Sequence, residues 1–279
     1  MDPYIQIGEL TLTTYGLMIA VGIIVSVLYL EIEFRHASLS TKETGTAQLA
    51  LIAASAGTVV GAKLLYLLIS ADEIAEALEL YSVRVVVVAY LSGGFVFYGG
   101  LIGAIAGAWI YARFSGISFG WICRLLVPII PLFHGFGRIG CFLEGCCYGI
   151  ESERFGIVFT DSPVAPNGVP LIPVQLYEAA AEFIIFAVLC RRRHYTDGIG
   201  LLTDFIFFYA PMRFVLEFLR GDEYRGIFFG ISFSQIISLA MIIWAVWLRR
   251  RNIWRRRQTR TAAEKEYEKE KMAESQSAV

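Results

Sequence analysis

Charged residues are scarce in this chain of 279 residues, since Asp, Glu, Lys and Arg make up 18% of it and hydrophobic residues make up 56%. A soluble domain averages about 25% charged residues. Together with long apolar runs, this shortage excludes an ordinary soluble domain and predicts an integral membrane protein. Basic and acidic residues are segregated along the chain, so the net charge of −1 does not indicate nucleic-acid binding.

The chain also lacks the basic start of a cleavable signal peptide, because Met1–Thr14 contains Asp2 and Glu9 instead. We therefore expect the first apolar run to direct insertion into the membrane. No internal repeat is evident, which argues against a transporter built from paired halves.

Cysteine is infrequent, and the redox motif C-x-x-C is absent. Adjacent Cys146 and Cys147 suit a structural zinc site poorly, so we expect no metal and no cofactor. If the central stretch is extracytoplasmic, a disulfide between two of Cys141, Cys146 and Cys147 is expected, with the third thiol free.

Seven apolar runs approach the length of about 20 residues that a helix needs to cross a bilayer. They are Tyr15–Phe34, Ala47–Ser70, Gly94–Phe114, Trp121–Phe136, Leu176–Cys190, Ile199–Leu219 and Ile231–Leu248. The sequence therefore predicts an all-α polytopic bundle of about seven transmembrane helices.

Basic residues cluster in alternate connections and in the segment Leu248–Arg260, which indicates the cytoplasmic side and affinity for anionic membrane lipids. This pattern predicts an extracytoplasmic N-terminus and a cytoplasmic C-terminus. We expect a membrane domain over residues 1–260, with the proline-rich loop 149–172 as a small extracytoplasmic cap. We expect residues 261–279 to form a charged cytoplasmic tail.

The stretch Pro131–Gly149 combines ionisable and thiol groups with closely spaced glycines at the end of an apolar run. An arginine beside apolar sequence is costly unless an anion meets it. Arg138 is therefore a candidate to bind a lipid phosphate, with snorkelling as the alternative. His134 precedes it by four residues, shares its helical face and is a candidate general base, although a structural role remains open.

A polar ladder runs through the sixth apolar run, formed by Tyr209, Arg213, Glu217 and Arg220. These spacings place the side chains on one helical face, which must meet protein or water. The ladder is either a self-satisfied ion pair that joins helices or a ligand site. We favour a mixed role, in which Glu217 orients Arg213 and leaves donors for a ligand.

Other polar residues near the ends of apolar runs are candidates for headgroup contact. Tyr98, before the pair Gly99 and Gly100, has a hydroxyl that can bind a headgroup, and Tyr15 begins the first run in a similar way. Lys63 lies inside the second run and requires a carboxylate or phosphate partner.

Taken together, these segments resemble the bacterial prolipoprotein diacylglyceryl transferases. The resemblance is carried, in family order, by Tyr15–Met18, Gly61–Tyr66, Gly93–Gly103, Gly137–Gly140, Pro173–Glu178, Tyr209–Arg220 and Ser234–Ile236. It implies a multi-pass enzyme of the bacterial cytoplasmic membrane.

The implied reaction moves the diacylglyceryl group of phosphatidylglycerol to the lipobox cysteine of a prolipoprotein, with release of glycerol phosphate. By resemblance, Arg138 is expected to hold the phospholipid, and Arg213 is expected to help stabilise the charge of its phosphate. His134 or Tyr98 is expected to aid proton removal. The remaining expected substrate contacts are Tyr15, Lys63, Gly99, Gly100, Gly140, Gln175, Tyr209, Glu217 and Arg220.

The chain departs from the family pattern at three places. Tyr98 stands where the family commonly has histidine, Lys63 stands where arginine is usual, and Cys141–Glu144 replaces an Asn-Phe-x-Asn segment. These departures indicate either a divergent branch with the same activity, in which His134 replaces the missing histidine from an adjacent element, or a related lipid transferase with another acceptor or lipid. A separate alternative is a non-enzymatic transporter of a lipid or a thiol compound that uses the polar ladder as its path.

Overall fold

A computed structural model describes residues 4–7, 10–222, 227–228 and 231–254 of the chain. The helices are α1 Thr14–His36, α2 Thr41–Ile69, α3 Ala71–Leu80, α4 Val83–Ser92, α5 Phe97–Ser115, α6 Phe119–Leu126, α7 Ile129–Glu144, α8 Val174–Arg192, α9 Gly198–Leu216 and α10 Phe233–Trp254. The expected tail at residues 261–279 lies outside the described residues.

Three short hairpins accompany the helices. Their strands are β1 Tyr4–Ile7 with β2 Leu10–Thr13, β3 Ile157–Val158 with β4 Pro170–Leu171, and β5 Ile227–Phe228 with β6 Ile231–Ser232, each pair antiparallel. The first hairpin leads directly into α1, where the Thr13 hydroxyl accepts a hydrogen bond from Gly16 N at 3.1 Å. Sequence reasoning did not foresee this hairpin.

The described chain is mostly helical, consistent with the all-α membrane protein predicted from the sequence. Among the described residues, five segments are long and apolar enough to cross a membrane, or six if the bent pair α4 and α5 is one span. Helices α6 and α7 form one of these segments, Phe119–Glu144, and so lengthen the short fourth run expected from sequence. Helix α8 is not among these segments, because it carries Glu178 and Glu182 along its length and Arg191 and Arg192 at its end.

Helix α9 lies at the centre of the largest core cluster. Leu201, Phe205 and Tyr209 have no exposed surface, and side chains of α5, α8 and α10 surround them. Helix α8 packs against both α7 and α9, while α1 packs against α7. The polar residues of α7, α8 and α9 are therefore brought to one interior region.

The connection between α7 and α8 folds as a compact unit at the end of the bundle. Phe142, Phe159, Ala165 and Leu171 form its own apolar cluster. Gly149 N donates to Ile172 O at 2.9 Å, which closes the loop at its two ends.

Glycines let α2 and α5 approach at backbone distance. A Cβ added at Gly103 would lie 2.0 Å from the carbonyl oxygen of Gly57, and one at Gly99 would lie 2.4 Å from that of Gly61. Small residues spaced four apart permit this close helix packing within membranes. Gly99 and Gly100 thus face α2, and their contact with a lipid headgroup stays a prediction.

Replacing Gly103 with alanine should push these helices apart and destabilise the protein by about 1–3 kcal/mol, the usual cost of overpacking. Thermal unfolding of the purified protein in detergent measures the change. Gly45→Ala in α2 is the matched control, because a Cβ there meets nothing within 4 Å. Equal melting temperatures for the two variants would contradict the close contact.

Candidate active site

A hydrogen bond and an ion pair join α7 to α8 in the interior of the protein. His134 Nδ1 lies 2.5 Å from Glu182 Oε1, and Arg138 Nη2 lies 3.0 Å from Glu178 Oε1. The spacing of four residues on each helix places both partners on one face, and all four side chains are buried. A buried guanidinium in a membrane protein requires such a counter-charge.

Arg213 of α9 approaches the same carboxylate from the other side. Its Nε lies 3.8 Å from Glu178 Oε1, its Nη2 lies 2.8 Å from Glu217 Oε2, and Nη2 also donates to Ser234 Oγ at 3.1 Å. Two guanidinium groups therefore converge on Glu178. The favoured mixed role for the ladder, with Glu217 orienting Arg213, agrees with this geometry.

Several buried donors keep a hydrogen-bonding position open. Arg138 Nε, Arg213 Nη1 and the Tyr209 hydroxyl have no hydrogen-bond partner within the part of the chain that the structure describes. A buried polar group without a partner costs about 1–3 kcal/mol, so such groups in a native protein point to a ligand or an ordered water. Donors from two guanidinium groups match the oxygens of a phosphate.

Aromatic rings enclose His134. The Phe97 ring stacks on its imidazole with centroids 3.6 Å apart, and the Tyr209 ring meets it edge-on at 5.8 Å. Because Glu182 engages Nδ1, Nε2 is the nitrogen that remains for a substrate proton.

Tyr98 is buried beside this enclosure, and its hydroxyl is hydrogen-bonded to Ser238 Oγ of α10. This bond uses part of the hydroxyl's capacity to interact with a substrate.

Four of the other predicted residues lie near the C-terminal end of α7. Tyr15 packs against Gly140, where an added Cβ would lie 3.0 Å from the Tyr15 ring. Gln175 is buried, and its Nε2 donates to Cys146 O at 2.7 Å. Arg220 pairs with Asp222, donating from Nε to Oδ1 at 2.8 Å. Burial opposes the charge of Arg220, but the hydrogen bonds to Asp222, together with the charges of Cys147 and Asp222, outweigh burial and raise the pKa of the guanidinium.

Lys63 is engaged at the α4–α5 junction. Its Nζ donates to the carbonyl oxygens of Tyr90, at 3.0 Å, and Gly93, and it lies over the rings of Tyr66 and Phe95. Backbone carbonyls therefore meet this cation, where a carboxylate or phosphate was expected.

Sequence reasoning missed the two carboxylates of α8 as site residues. The available signal was Gln175, Glu178 and Glu182 at spacings of three and four inside a predicted span, which is the same pattern that identified the ladder in α9. Ser234 and Ser238 of α10 were also missed, since serine in a membrane helix gives a weak signal.

Two clusters carry potential metal-ligating atoms within 4.8 Å of one another: His134 with Glu178 and Glu182, and Cys141 with Cys146 and Cys147. In the first cluster, the positive charges of Arg138 and Arg213 already occupy Glu178 and oppose a cation there. In the second, all three thiols are free, so the disulfide expected from sequence is not formed in the structure. The three sulfur atoms lie within 4.8 Å of one another without a covalent bond.

The fold and the site together define a multi-pass membrane protein with buried arginines that retain donors for an anion. A sequence model described as prolipoprotein diacylglyceryl transferase matches residues 3–250. The chain belongs to the prolipoprotein diacylglyceryl transferase family.

Individual relatives agree with this assignment. The chain is similar to the phosphatidylglycerol–prolipoprotein diacylglyceryl transferases of Clostridium tetani, at 35% identity over 82% of this chain and 88% of the relative, and of Dehalococcoides mccartyi strain 195, at 34% over 88% and 92%. The protein of that name from Vibrio cholerae is 33% identical over 92% of this chain and 95% of its own length.

Proposed function

We propose that this protein transfers the diacylglyceryl group of phosphatidylglycerol to the thiol of a prolipoprotein cysteine, in lipoprotein maturation. The family and the names of the relatives indicate the activity. The observation that carries the mechanism is the convergence of Arg138 and Arg213 on Glu178, with a buried donor left on each guanidinium.

The reaction forms a carbon–sulfur bond at the glyceryl carbon and breaks the bond from that carbon to the phosphate oxygen. Glycerol phosphate leaves with the electron pair, so negative charge develops on the departing phosphate. Arg138 and Arg213 stabilise that charge, and their fixed positions avoid reorganisation during the reaction. Glu178 holds both groups in place while the site is without lipid.

The acceptor thiol must lose its proton as it attacks, because the thiolate is the nucleophile. His134 is the better placed of the two candidates, since its Nε2 remains for the substrate while the Tyr98 hydroxyl is bound to Ser238. Glu182 orients the imidazole and stabilises its protonated form, as a carboxylate does for the histidine of a catalytic triad.

The acceptor and the topology complete the proposal. The thiol belongs to the lipobox cysteine in the signal peptide of a prolipoprotein, and the enzyme lies in the bacterial cytoplasmic membrane. If α8 crosses the bilayer beside α7 and α9, the helices number seven, with the N-terminus outside and the C-terminus inside. The unit between α7 and α8 then caps the extracytoplasmic end.

Purified protein incubated with phosphatidylglycerol vesicles and a lipobox peptide tests this function. We expect the peptide mass to rise by one diacylglyceryl group, with release of one glycerol phosphate, and His134→Gln to reduce the rate by about 10²–10⁴-fold. Tyr98→Phe should reduce it much less. A larger loss in Tyr98→Phe than in His134→Gln would reverse the assignment of the base.

Two other outcomes would reject the acceptor or the enzyme. Consumption of phosphatidylglycerol without a change in peptide mass would indicate a lipid transferase with another acceptor. Binding of the lipid or peptide without any turnover would indicate a non-enzymatic carrier.

A further inference from the structure

Three thiols meet where α7 ends. The Sγ atoms of Cys141, Cys146 and Cys147 all lie within 4.8 Å of one another. The backbone makes this possible because Gly145 adopts a φ of +81° and Cys146 N donates to Cys141 O at 3.0 Å, which folds the chain back over the last helical turn. This is the geometry of a Schellman helix end.

Cys147 adopts a conformation that is unusual for its residue type. Its φ of 60° makes it one of two non-glycine residues with positive φ in the described chain. Such a conformation costs of order 1–3 kcal/mol and persists only where its surroundings impose it, often at functional positions.

The neighbouring backbone is held on several sides. Gln175 Nε2 donates to Cys146 O at 2.7 Å, and Gly221 N donates to Tyr148 O at 3.0 Å. The thiol cluster is thus pre-organised by the fold and does not depend on a mobile loop.

We propose that Cys141, Cys146 and Cys147 bind a thiophilic d¹⁰ cation such as Zn²⁺ or Cu⁺. Soft thiolate ligands select these ions. A metal–sulfur bond is about 2.3 Å long, so three tetrahedral ligands stand roughly 3.8 Å apart, which falls within the 4.8 Å that bounds the separations of these sulfur atoms. Binding releases the thiol protons to solvent and changes no oxidation state.

The surroundings of the cluster suit this chemistry. The positive charges of Arg138 and Arg220 act on the Cys147 sulfur and offset the repulsion among three thiolates. Within the described residues, the cluster contains three thiols and no carboxylate or histidine, so a bound ion keeps a coordination position for a water or another thiol. The cation would link Cys141, in the last turn of α7, to Cys146 and Cys147, where the chain enters the connection to α8.

Equilibrium binding of Cd²⁺, used as a spectroscopic probe for Zn²⁺, tests the site. The reduced full-length protein in lipid nanodiscs, kept anaerobic, should show a thiolate-to-metal charge-transfer band that saturates at one equivalent and protects three cysteines from maleimide. Each of Cys141→Ser, Cys146→Ser and Cys147→Ser should weaken binding by more than the roughly 10- to 100-fold that loss of an outer-shell partner costs. Cys190→Ser is the matched control, because its thiol lies near Tyr29, outside the cluster.

The readout does not depend on lipid turnover. A band that is absent, or that persists unchanged in the three serine variants, would overturn the proposal. A disulfide between two cluster cysteines in protein that was purified anaerobically would also overturn it. Equal loss of binding in Cys190→Ser would show that the cluster is not the site.

Discussion

Replacing Arg138 with alanine is expected to abolish diacylglyceryl transfer while the protein still folds. Loss of a single charge-stabilising donor costs about 10²–10³-fold in rate in other enzymes, and Arg138 supplies a full positive charge, so the loss here should be at least that large. Folding should survive because Glu178 retains Arg213 as a partner. The measurement is the initial rate of peptide modification, with thermal unfolding recorded on the same preparation.

Two further variants make this result specific. Arg138→Lys keeps the charge but loses the planar fork, so we expect partial activity. Arg154→Ala is the control, since this exposed arginine lies in the connection between α7 and α8 and stacks on Phe155. Near-normal transfer by Arg138→Ala, in protein that unfolds at the usual temperature, would reject the role of this guanidinium.

Replacing Glu178 with glutamine should have the largest effect on stability. Among the described residues, Glu178 is the only carboxylate within ion-pairing distance of Arg138, so its neutralisation leaves a buried charge uncompensated. Breaking a buried pair in this way costs about 3–5 kcal/mol. Reversible unfolding in detergent measures the change, and Glu182→Gln should cost less because its partner His134 can be neutral.

The double variant Arg138→Met with Glu178→Met separates stability from chemistry. Apolar side chains of similar volume often replace a buried ion pair at little cost, so this variant should recover much of the stability lost in Glu178→Gln. It should remain without transferase activity. Recovery of activity together with stability would mean that the pair is only structural.

Apolar length and charge distribution predicted the long apolar helices, because the bilayer imposes one length scale on every span. They gave no signal for the short helix α3, Ala71–Leu80. The same criteria failed for the first hairpin, whose short strands leave no comparable periodic signal. Gly99 and Gly100 illustrate another limit. Glycine permits close approach of a lipid or of a helix, and only the structure shows that α2 is the neighbour.

The site was predicted in part. Arg138, His134, Arg213 and Glu217 were singled out because ionisable groups in apolar sequence require partners. The single helical face predicted through Arg220 was wrong, because α9 ends at Leu216 and Arg220 follows the short 3₁₀ turn Glu217–Leu219 in an extended conformation. The identity of those partners depends on which helices pack together, so Glu178 could be assigned to both arginines only from the contact of α8 with α7 and α9. The close approach of the three thiols likewise depends on the turn at Gly145.

The contact between α2 and α5 restricts how a two-tailed lipid can enter. At Gly57 an added methyl group would lie only 2.1 Å from the Gly103 carbonyl oxygen, so this seam is too narrow for an acyl chain. We therefore expect the substrate lipid and its product to pass through another gap between the helices.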